Sequence, residues 1–257
     1  MNEITMGRES SIAVVTIDRP GKRNAMTLAM WRAVGETFVA LGREHDVRGI
    51  ILTGAGGSFS VGADVSEFEA ARASAAAAKD YELAVDACAD AIAAVSKPTV
   101  AAINGYCLGG GCHLALACDF RIAAPGASIG IPAAKLSIVY GVRSTQRLLS
   151  LVGLAAAKRI LYSGRRYGAA DAFAMGLVEE VTADPVEAAR TLLNEIIQNA
   201  PLSIGGAKAI LTGLSMGSGV LDLQHADKLI DQAADSADYR EGRLAFAEKR
   251  APRFKGS

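Results

Sequence analysis

The segment Asn104-Gly105-Tyr106-Cys107-Leu108-Gly109-Gly110-Gly111-Cys112-His113 carries the strongest fold signal in this chain. Three consecutive glycines follow an apolar run and precede a stretch with helical composition. Glycine lets a backbone approach a ligand closely, and the free N–H groups at a helix start attract a negative oxygen. The segment therefore predicts a glycine turn into a helix whose first N–H groups can form an oxyanion hole.

The composition is that of an ordinary globular protein. The chain has 257 residues, of which 51% are hydrophobic and 21% charged, and its 27 basic side chains balance 27 acidic ones. A chain of this length can bury a large core in one or two domains. A net charge near zero argues against nucleic acid or an anionic membrane as the main partner, although a local basic patch can still hold a phosphate.

The cysteines and the first residues indicate a reducing compartment. Four thiols stand in apolar surroundings without the paired spacing of metal ligands: Cys88, Cys107, Cys112 and Cys118. We expect buried thiols and no metal site. The first residues show no basic region followed by an apolar block, which favours a cytoplasmic protein. No charge occurs between Lys97 and Asp119, but Pro98 and Asn104 favour a buried strand and helix over a membrane span.

Short apolar runs alternate with helical patterns. Four runs are predicted strands: Ile12–Ile17, Gly49–Gly54, Thr99–Ile103 and Phe120–Ala123. Thr27 can cap a helix through about Leu41, and further helices are predicted over about residues 66–95 and from near Val142. This alternation predicts an α/β core with buried parallel strands. From about Val186 the chain is predicted to be helical to its end, with a break at Pro201.

Four other motifs accompany the glycine segment: Asp18-Arg19-Pro20 with Arg23-Asn24-Ala25, Ser60-Val61-Gly62-Ala63-Asp64, Ser144-Thr145-Gln146-Arg147-Leu148, and Phe246-Ala247-Glu248-Lys249-Arg250. In this order they resemble the crotonase, or enoyl-CoA hydratase/isomerase, superfamily over essentially the whole chain. The resemblance implies an α/β fold with a crotonase-like spiral of ββα units in residues 1–190, the acyl-CoA-binding core. It also implies that residues 191–257 form a C-terminal helical oligomerisation region that assembles a homotrimer or a dimer of trimers.

The resemblance also assigns residues to the site. The thioester carbonyl of an acyl-CoA becomes an enolate-like oxyanion when the neighbouring carbon loses a proton, gains a nucleophile or loses carbon dioxide. The implied donors to that oxygen are the N–H groups of Ala63 and Gly110, and one lost donor typically costs about 3 to 4 kcal/mol. The implied CoA-binding positions are Lys22, Arg23, Ala25, Gly62, Ala63, Asp64, Gly109 and, from a neighbouring subunit, Lys249. CoA is then part of the substrate, and no separate cofactor is implied.

The chain departs from the family pattern at both glutamates that hydratases of this type use. Those positions hold His113 and Ala133, and no aspartate or glutamate occurs between Phe120 and Ala170. Both two-glutamate hydration and a single-glutamate double-bond shift are therefore in doubt. The nearest carboxylates in sequence are those of Asp64, Glu67 and Glu69. The last two are expected to cap or solvate the following helix.

Two side chains can take over the acid and base work. His113 lies one helical turn beyond Gly110 and can exchange protons near neutral pH, although a hydrogen-bonded core histidine is an equal alternative. Tyr140 stands in a loop that resembles the tyrosine-bearing loop of methylmalonyl-CoA decarboxylases, although a buried packing tyrosine is at least as good an interpretation. Lys135 and Arg143 flank this tyrosine and can attract an acidic acyl group.

These observations predict an acyl-CoA-processing enzyme of the enoyl-CoA hydratase/isomerase type, a lyase or an isomerase. Decarboxylation or hydrolysis of an acyl-CoA is the first alternative. Decarboxylation has less need of a strong protein base, because the departing carboxylate leaves its electrons for the oxyanion hole to stabilise. The second alternative is a non-catalytic acyl-CoA-binding homologue, which the loss of both glutamates makes credible.

Overall fold

Two sheets organise the fold. The computed structural model describes residues 3–67, 75–217 and 219–257. Its strands are β1 (Ile4–Glu9), β2 (Ile12–Ile17), β3 (Gly49–Gly54), β4 (Thr99–Ile103), β5 (Tyr106–Leu108), β6 (Phe120–Ala123), β7 (Ser128–Gly130), β8 (Arg166–Gly168) and β9 (Glu180–Val181). They form a six-stranded sheet in the order β1-β2-β3-β4-β6-β9 and a three-stranded sheet in the order β5-β7-β8.

The main sheet is parallel from β2 to β9, while β1 pairs antiparallel with β2 at the edge. Every residue of β4 is buried, and so is every residue of β3 except the last. Parallel strands covered on both faces read as continuous apolar runs in a sequence. The prediction of an α/β core with buried parallel strands is confirmed.

Helices cover both faces of the main sheet. They are α1 (Leu28–Arg43), α2 (Ala75–Ala94), α3 (Gly110–Ala117), α4 (Val142–Ser163), α5 (Ala169–Ala174), α6 (Pro185–Ile196), α7 (Pro201–Ser215), α8 (Leu223–Asp235) and α9 (Ala237–Glu248). The Thr27 hydroxyl accepts a hydrogen bond of 3.2 Å from the Met30 N–H, as an N-cap residue does. The larger core includes Trp31 and Phe38 of α1, and a smaller core joins Leu193 of α6 to the opposite face of the sheet.

Some elements differ from the prediction. The sequence predicts neither β1 nor β5, since β1 buries only Ile4 and β5 has three residues. The helix predicted from residue 66 is preceded by a 3₁₀ turn, Val65–Glu67, and α2 begins at residue 75. Residues 68–74, which include Glu69, lie outside the described residues. The tail after Lys249 is not helical, because Lys249 adopts a left-handed conformation (φ 54°) that ends α9 and Pro252 follows.

The predicted division at residues 190 and 191 falls inside α6. Ala189 and Leu193, on either side of that point, are both buried in the core against the main sheet. The first element that leaves the sheet is therefore α7, after the predicted break at Pro201. The assignment of the two parts to acyl-CoA binding and to trimerisation stays a prediction.

The structure also bears on two expectations from the sequence, one about a membrane span and one about the cysteines. None of these helices combines the length and the apolarity that crossing a membrane requires. All four cysteines are buried and free, as predicted. Burial raises the pKa of Cys88 and of Cys118 to about 12, so both stay protonated at neutral pH.

We expect the C-terminal helices to pack against other copies of the chain. Leu211, Leu214 and Leu223 are 65%, 61% and 69% exposed, which is more apolar surface than a monomer usually presents on one helical layer. Light scattering at micromolar concentration should give about three or six times the chain mass of 26.6 kDa. Leu214→Asp should reduce that mass and Asn194→Asp, on the exposed side of α6, should not. A stable wild-type monomer would contradict this expectation.

Candidate active site

The glycine segment forms the turn between β5 and α3. Gly109 has φ +53° and acts as the N-cap of α3, and its N–H donates to the Gly130 carbonyl at 2.8 Å. Gly110 is then the first residue of the helix, where an N–H has no acceptor within the helix. Within the described residues, no backbone carbonyl accepts from the Gly110 N–H.

A second loop presents another unused N–H. Met26 and Ala63 form an isolated parallel bridge, in which the Met26 N–H donates to the Gly62 carbonyl and the Asp64 N–H donates to the Met26 carbonyl. These two hydrogen bonds involve Gly62 and Asp64, the residues on either side of Ala63. The Ala63 N–H itself has no backbone acceptor among the described residues.

The two loops touch at their backbones. Gly62 has φ +88°, and a Cβ added there would lie 2.7 Å from the Gly110 nitrogen. A Cβ added to Gly110 would lie 3.4 Å from the Ala63 nitrogen and 3.0 Å from the Trp31 ring. Only glycine at position 62 allows this approach. The structure thus brings together Ala63 and Gly110, which the family resemblance pairs.

Buried polar contacts fix the loop that carries Ala63. The Ser60 hydroxyl donates to the Asn24 carbonyl at 2.7 Å and accepts from the Gly62 N–H at 3.0 Å. Asp64 is buried, pairs with Arg19 at 2.6 Å and accepts from the Ser66 hydroxyl at 2.7 Å. The Ser66 and Arg19 contacts lower the pKa of Asp64 to about 2. Its carboxylate is therefore ionised and holds the loop through Arg19 and Ser66. Its role in CoA binding stays a prediction.

Most of the other predicted CoA-binding residues lie near this loop, whereas Lys249 lies near the end of the chain. Lys22 and Arg23 are exposed, Ala25 is buried, and the Arg23 carbonyl accepts from the Val61 N–H at 3.2 Å. The Arg23 guanidinium lies 5.0 Å from the centre of the Tyr106 ring, and that of Arg166 lies 5.7 Å from it. Lys249 is exposed at the end of α9. Its predicted contribution to a neighbouring subunit stays a prediction.

His113 is buried without a hydrogen-bond partner. Its side chain is 2% exposed, and neither ring nitrogen forms a hydrogen bond within the described residues. The nearest charged oxygen is Oδ1 of Asp86, 3.9 Å from Nε2. Burial, and then the charge of Arg147, lower the pKa of His113 to about 3, and an interaction with the Val85 backbone partly opposes both effects. The role of His113, in catalysis or in the core, stays a prediction.

Tyr140 packs beside His113. The ring centres are 6.3 Å apart at an interplanar angle of 87°, an edge-to-face arrangement. The Tyr140 hydroxyl donates to the Gly109 carbonyl at 3.5 Å, which is a long bond. Burial raises the pKa of Tyr140 well above its ordinary value, so the phenol keeps its proton. The structure therefore brings Gly110, His113 and Tyr140 together around the start of α3.

The sequence analysis missed a group of charges next to His113. Helix α2 supplies Asp86 and Asp90, and α4 supplies Arg143 and Arg147. Both arginines pair with Asp90, Arg147 at 2.6 Å, and Nη1 of Arg147 is buried without a partner among the described residues. The signal that could have found the group is the matched four-residue spacing in both helices, which places each pair on one helix face.

Three other predicted positions are not part of this group of charges. Ala133, at the position of the second glutamate, is buried, while Lys135 is exposed and lies against Gly164. Among the described residues, Oε2 of Glu67 accepts from the Leu28 N–H at 2.9 Å, at the start of α1, and its expected role at the following helix involves residues outside the described ranges. No group of three His, Cys, Asp or Glu side chains that could hold a metal ion occurs among the described residues.

Comparison with known proteins identifies the family. The sequence model of a family described as enoyl-CoA hydratase/isomerase matches residues 7–257. The chain is 32% identical to the short-chain-enoyl-CoA hydratase of Clostridium acetobutylicum, over 97% of this chain and 96% of that protein. It is 33% identical to the 2,3-dehydroadipyl-CoA hydratase of Escherichia coli, over the full length of both. The crystal structure of enoyl-CoA hydratase from Bacillus anthracis superposes with a TM-score of 0.88 at 34% identity, over 100% of both chains. The chain therefore belongs to the enoyl-CoA hydratase/isomerase family of the crotonase superfamily, whose members process acyl-CoA thioesters.

Proposed function

We propose that this chain acts on an acyl-CoA thioester and stabilises an enolate-like oxyanion between the N–H groups of Ala63 and Gly110. The observation that carries the proposal is the contact between the two loops, where both N–H groups lack a described backbone acceptor. Fixed donors aimed at developing charge contribute about 10²–10³ in rate for each donor. The names of the relatives, which are enoyl-CoA hydratases, support an acyl-CoA substrate.

We propose further that the CoA part of the substrate binds along the loop before α1. Lys22 and Arg23 are exposed cations there, and either can approach a phosphate. The backbone near Ala25 and the loop of residues 62–64 border the same region, with Gly109 at the start of α3. In a homotrimer or a dimer of trimers, Lys249 of a neighbouring copy completes the site. CoA arrives as part of the substrate, so the reaction uses no separate cofactor.

The first candidate reaction is of the hydratase/isomerase type. The family and the relatives' names favour it, but Ala133 and His113 replace the two glutamates of standard hydration. His113 is neutral at physiological pH and buried beside the predicted oxyanion hole, so it is the group best placed to move a proton.

The second candidate is decarboxylation of a malonyl-type acyl-CoA. Loss of carbon dioxide leaves the electron pair of the broken bond on the thioester as an enolate, which then takes up a proton at carbon. The observation that favours it is the protonated Tyr140 phenol beside His113, with the unpartnered Nη1 of Arg147 nearby in the same group of charges. Such donors can orient a carboxylate.

An assay of the purified protein on enoyl-, malonyl-type and β-keto-acyl-CoAs tests the proposed function. We expect turnover of at least one class and only weak hydration of crotonyl-CoA, because no carboxylate stands at position 113 or 133. A kcat/KM near the diffusional ceiling of about 10⁸ M⁻¹s⁻¹ for crotonyl-CoA would show that another base fully replaces the glutamates. Tight binding of acyl-CoA without turnover of any class would favour a binding protein, and release of free CoA would favour a hydrolase.

Gly110→Pro should lower turnover by about 10²–10³ because it removes one oxyanion donor. Proline is tolerated at the first position of a helix, so the variant is expected to fold, which circular dichroism can check. Gly110→Ala is the comparison, since it keeps the N–H but places a Cβ 3.0 Å from the buried Trp31 ring and 3.4 Å from the Ala63 nitrogen, so its loss should be smaller than that of Gly110→Pro. Full activity in a folded Gly110→Pro variant would contradict the oxyanion hole.

His113→Ala should lower turnover by about 10²–10⁴ and leave acyl-CoA affinity nearly unchanged, because proton transfer acts in the transition state. Tyr140→Phe is the comparison, measured on the same substrates. A large loss for Tyr140→Phe with a silent His113→Ala would favour the decarboxylase. If both variants match the wild type, neither side chain takes part in the reaction.

A further inference from the structure

The buried imidazole of His113 calls for a physical explanation. Its two ring nitrogens have no hydrogen-bond partner among the described residues, although its side chain is 2% exposed. Buried polar groups are nearly always paired, since an unpaired one loses its hydration without compensation. Unpaired buried polar groups concentrate at sites where a bound ligand or a reacting group provides the missing hydrogen bond.

One carboxylate faces the ring from a neighbouring helix. Oδ1 of Asp86, on α2, lies 3.9 Å from Nε2, so a small shift of either side chain would form a hydrogen bond. The other charged groups near His113 are Asp90 on α2 and Arg143 and Arg147 on α4. Both arginines are paired with Asp90, whereas no described side chain donates to the Asp86 carboxylate.

We propose that Asp86 positions His113 as the proton carrier of the active site, accepting a hydrogen bond from Nε2–H so that Nδ1 exchanges the proton with the substrate. This rests on the proposed function. The Nδ1 lone pair takes a proton from the carbon next to the thioester while the C–H electrons pass into the enolate. The imidazolium then returns the proton to the carbon at the far end of the extended enolate, which shifts the double bond.

The carboxylate is needed because the surroundings of His113 otherwise disfavour the imidazolium. Burial and the charge of Arg147 both keep the ring neutral and would make it a weak base. A negative charge that forms a hydrogen bond to Nε2 counters both effects and fixes the tautomer that leaves Nδ1 free. Asp86 thereby supplies from α2 the negative charge that the glutamate position on α3 lacks.

A double-mutant cycle tests the coupling between the two residues. Asp86→Asn should lower kcat by about 10–10² with little change in KM, and adding it to His113→Ala should cost nothing further. Asp80→Asn removes the same charge from an exposed position of the same helix and should match the wild type. Asp86→Glu should restore part of the activity. Wild-type activity in Asp86→Asn, or losses that multiply in the double variant, would overturn the proposal.

A measurement on the resting protein keeps this inference distinct from the proposed function. The chain has three histidines, so ¹H–¹⁵N correlation spectra can assign the tautomer of each ring. We expect the Nε2–H form for His113 in the wild type and in Asp80→Ala, and a changed or mixed form in Asp86→Ala. A wild-type Nδ1–H form would overturn the proposal even if the enzyme turns over its substrate. If no acyl-CoA is turned over, the proposed function fails, and the tautomer still decides whether Asp86 orients His113.

Discussion

The close backbone contact between Gly62 and Gly110 is the constraint on which the rest of the site depends. No side chain fits at position 62, because a Cβ there would meet both the Gly110 nitrogen and the Leu108 carbonyl within 3 Å. The contact joins the loop after β3 to the start of α3, and two otherwise unconnected N–H groups thereby become neighbours. The buried bonds of Ser60, Asn24 and Asp64 hold one side of this contact, and the pairing of β5 with β7 holds the other.

The α2 and α4 helices enclose this backbone site with charges of opposite sign. Each helix contributes two charged residues one turn apart, and Asp90 forms ion pairs with both arginines. Asp86 forms an ion pair with neither arginine and lies 3.9 Å from His113, while its charge also acts on Arg147. In the proposed site the carboxylate next to His113 therefore stands on α2, which packs against α3, and not on α3 itself.

The sequence was informative where one segment determines its own structure. The buried strands β3 and β4 were predicted because every residue must be apolar, and Thr27 because a helix start needs a side-chain acceptor. Strand β5 was missed because three residues beside glycines give no periodicity and depend on the distant β7. Asp86 was missed for a related reason: α2 is rich in alanine, so its sequence does not show which face meets α3. The pairing of Ala63 with Gly110 came from family resemblance, since no local pattern relates residues so far apart in the chain.

The ion pair between Asp64 and Arg19 has a consequence for how acidity affects this protein. The pKa of Asp64 is depressed to about 2 from an ordinary value of 3.8, so its stabilising contribution is complete above 3.8 and fades only as the pH falls towards 2. The Asp64 carboxylate, and with it the ion pair to Arg19, therefore stays charged across neutral pH. A change of activity with pH near neutrality must then come from groups other than this pair.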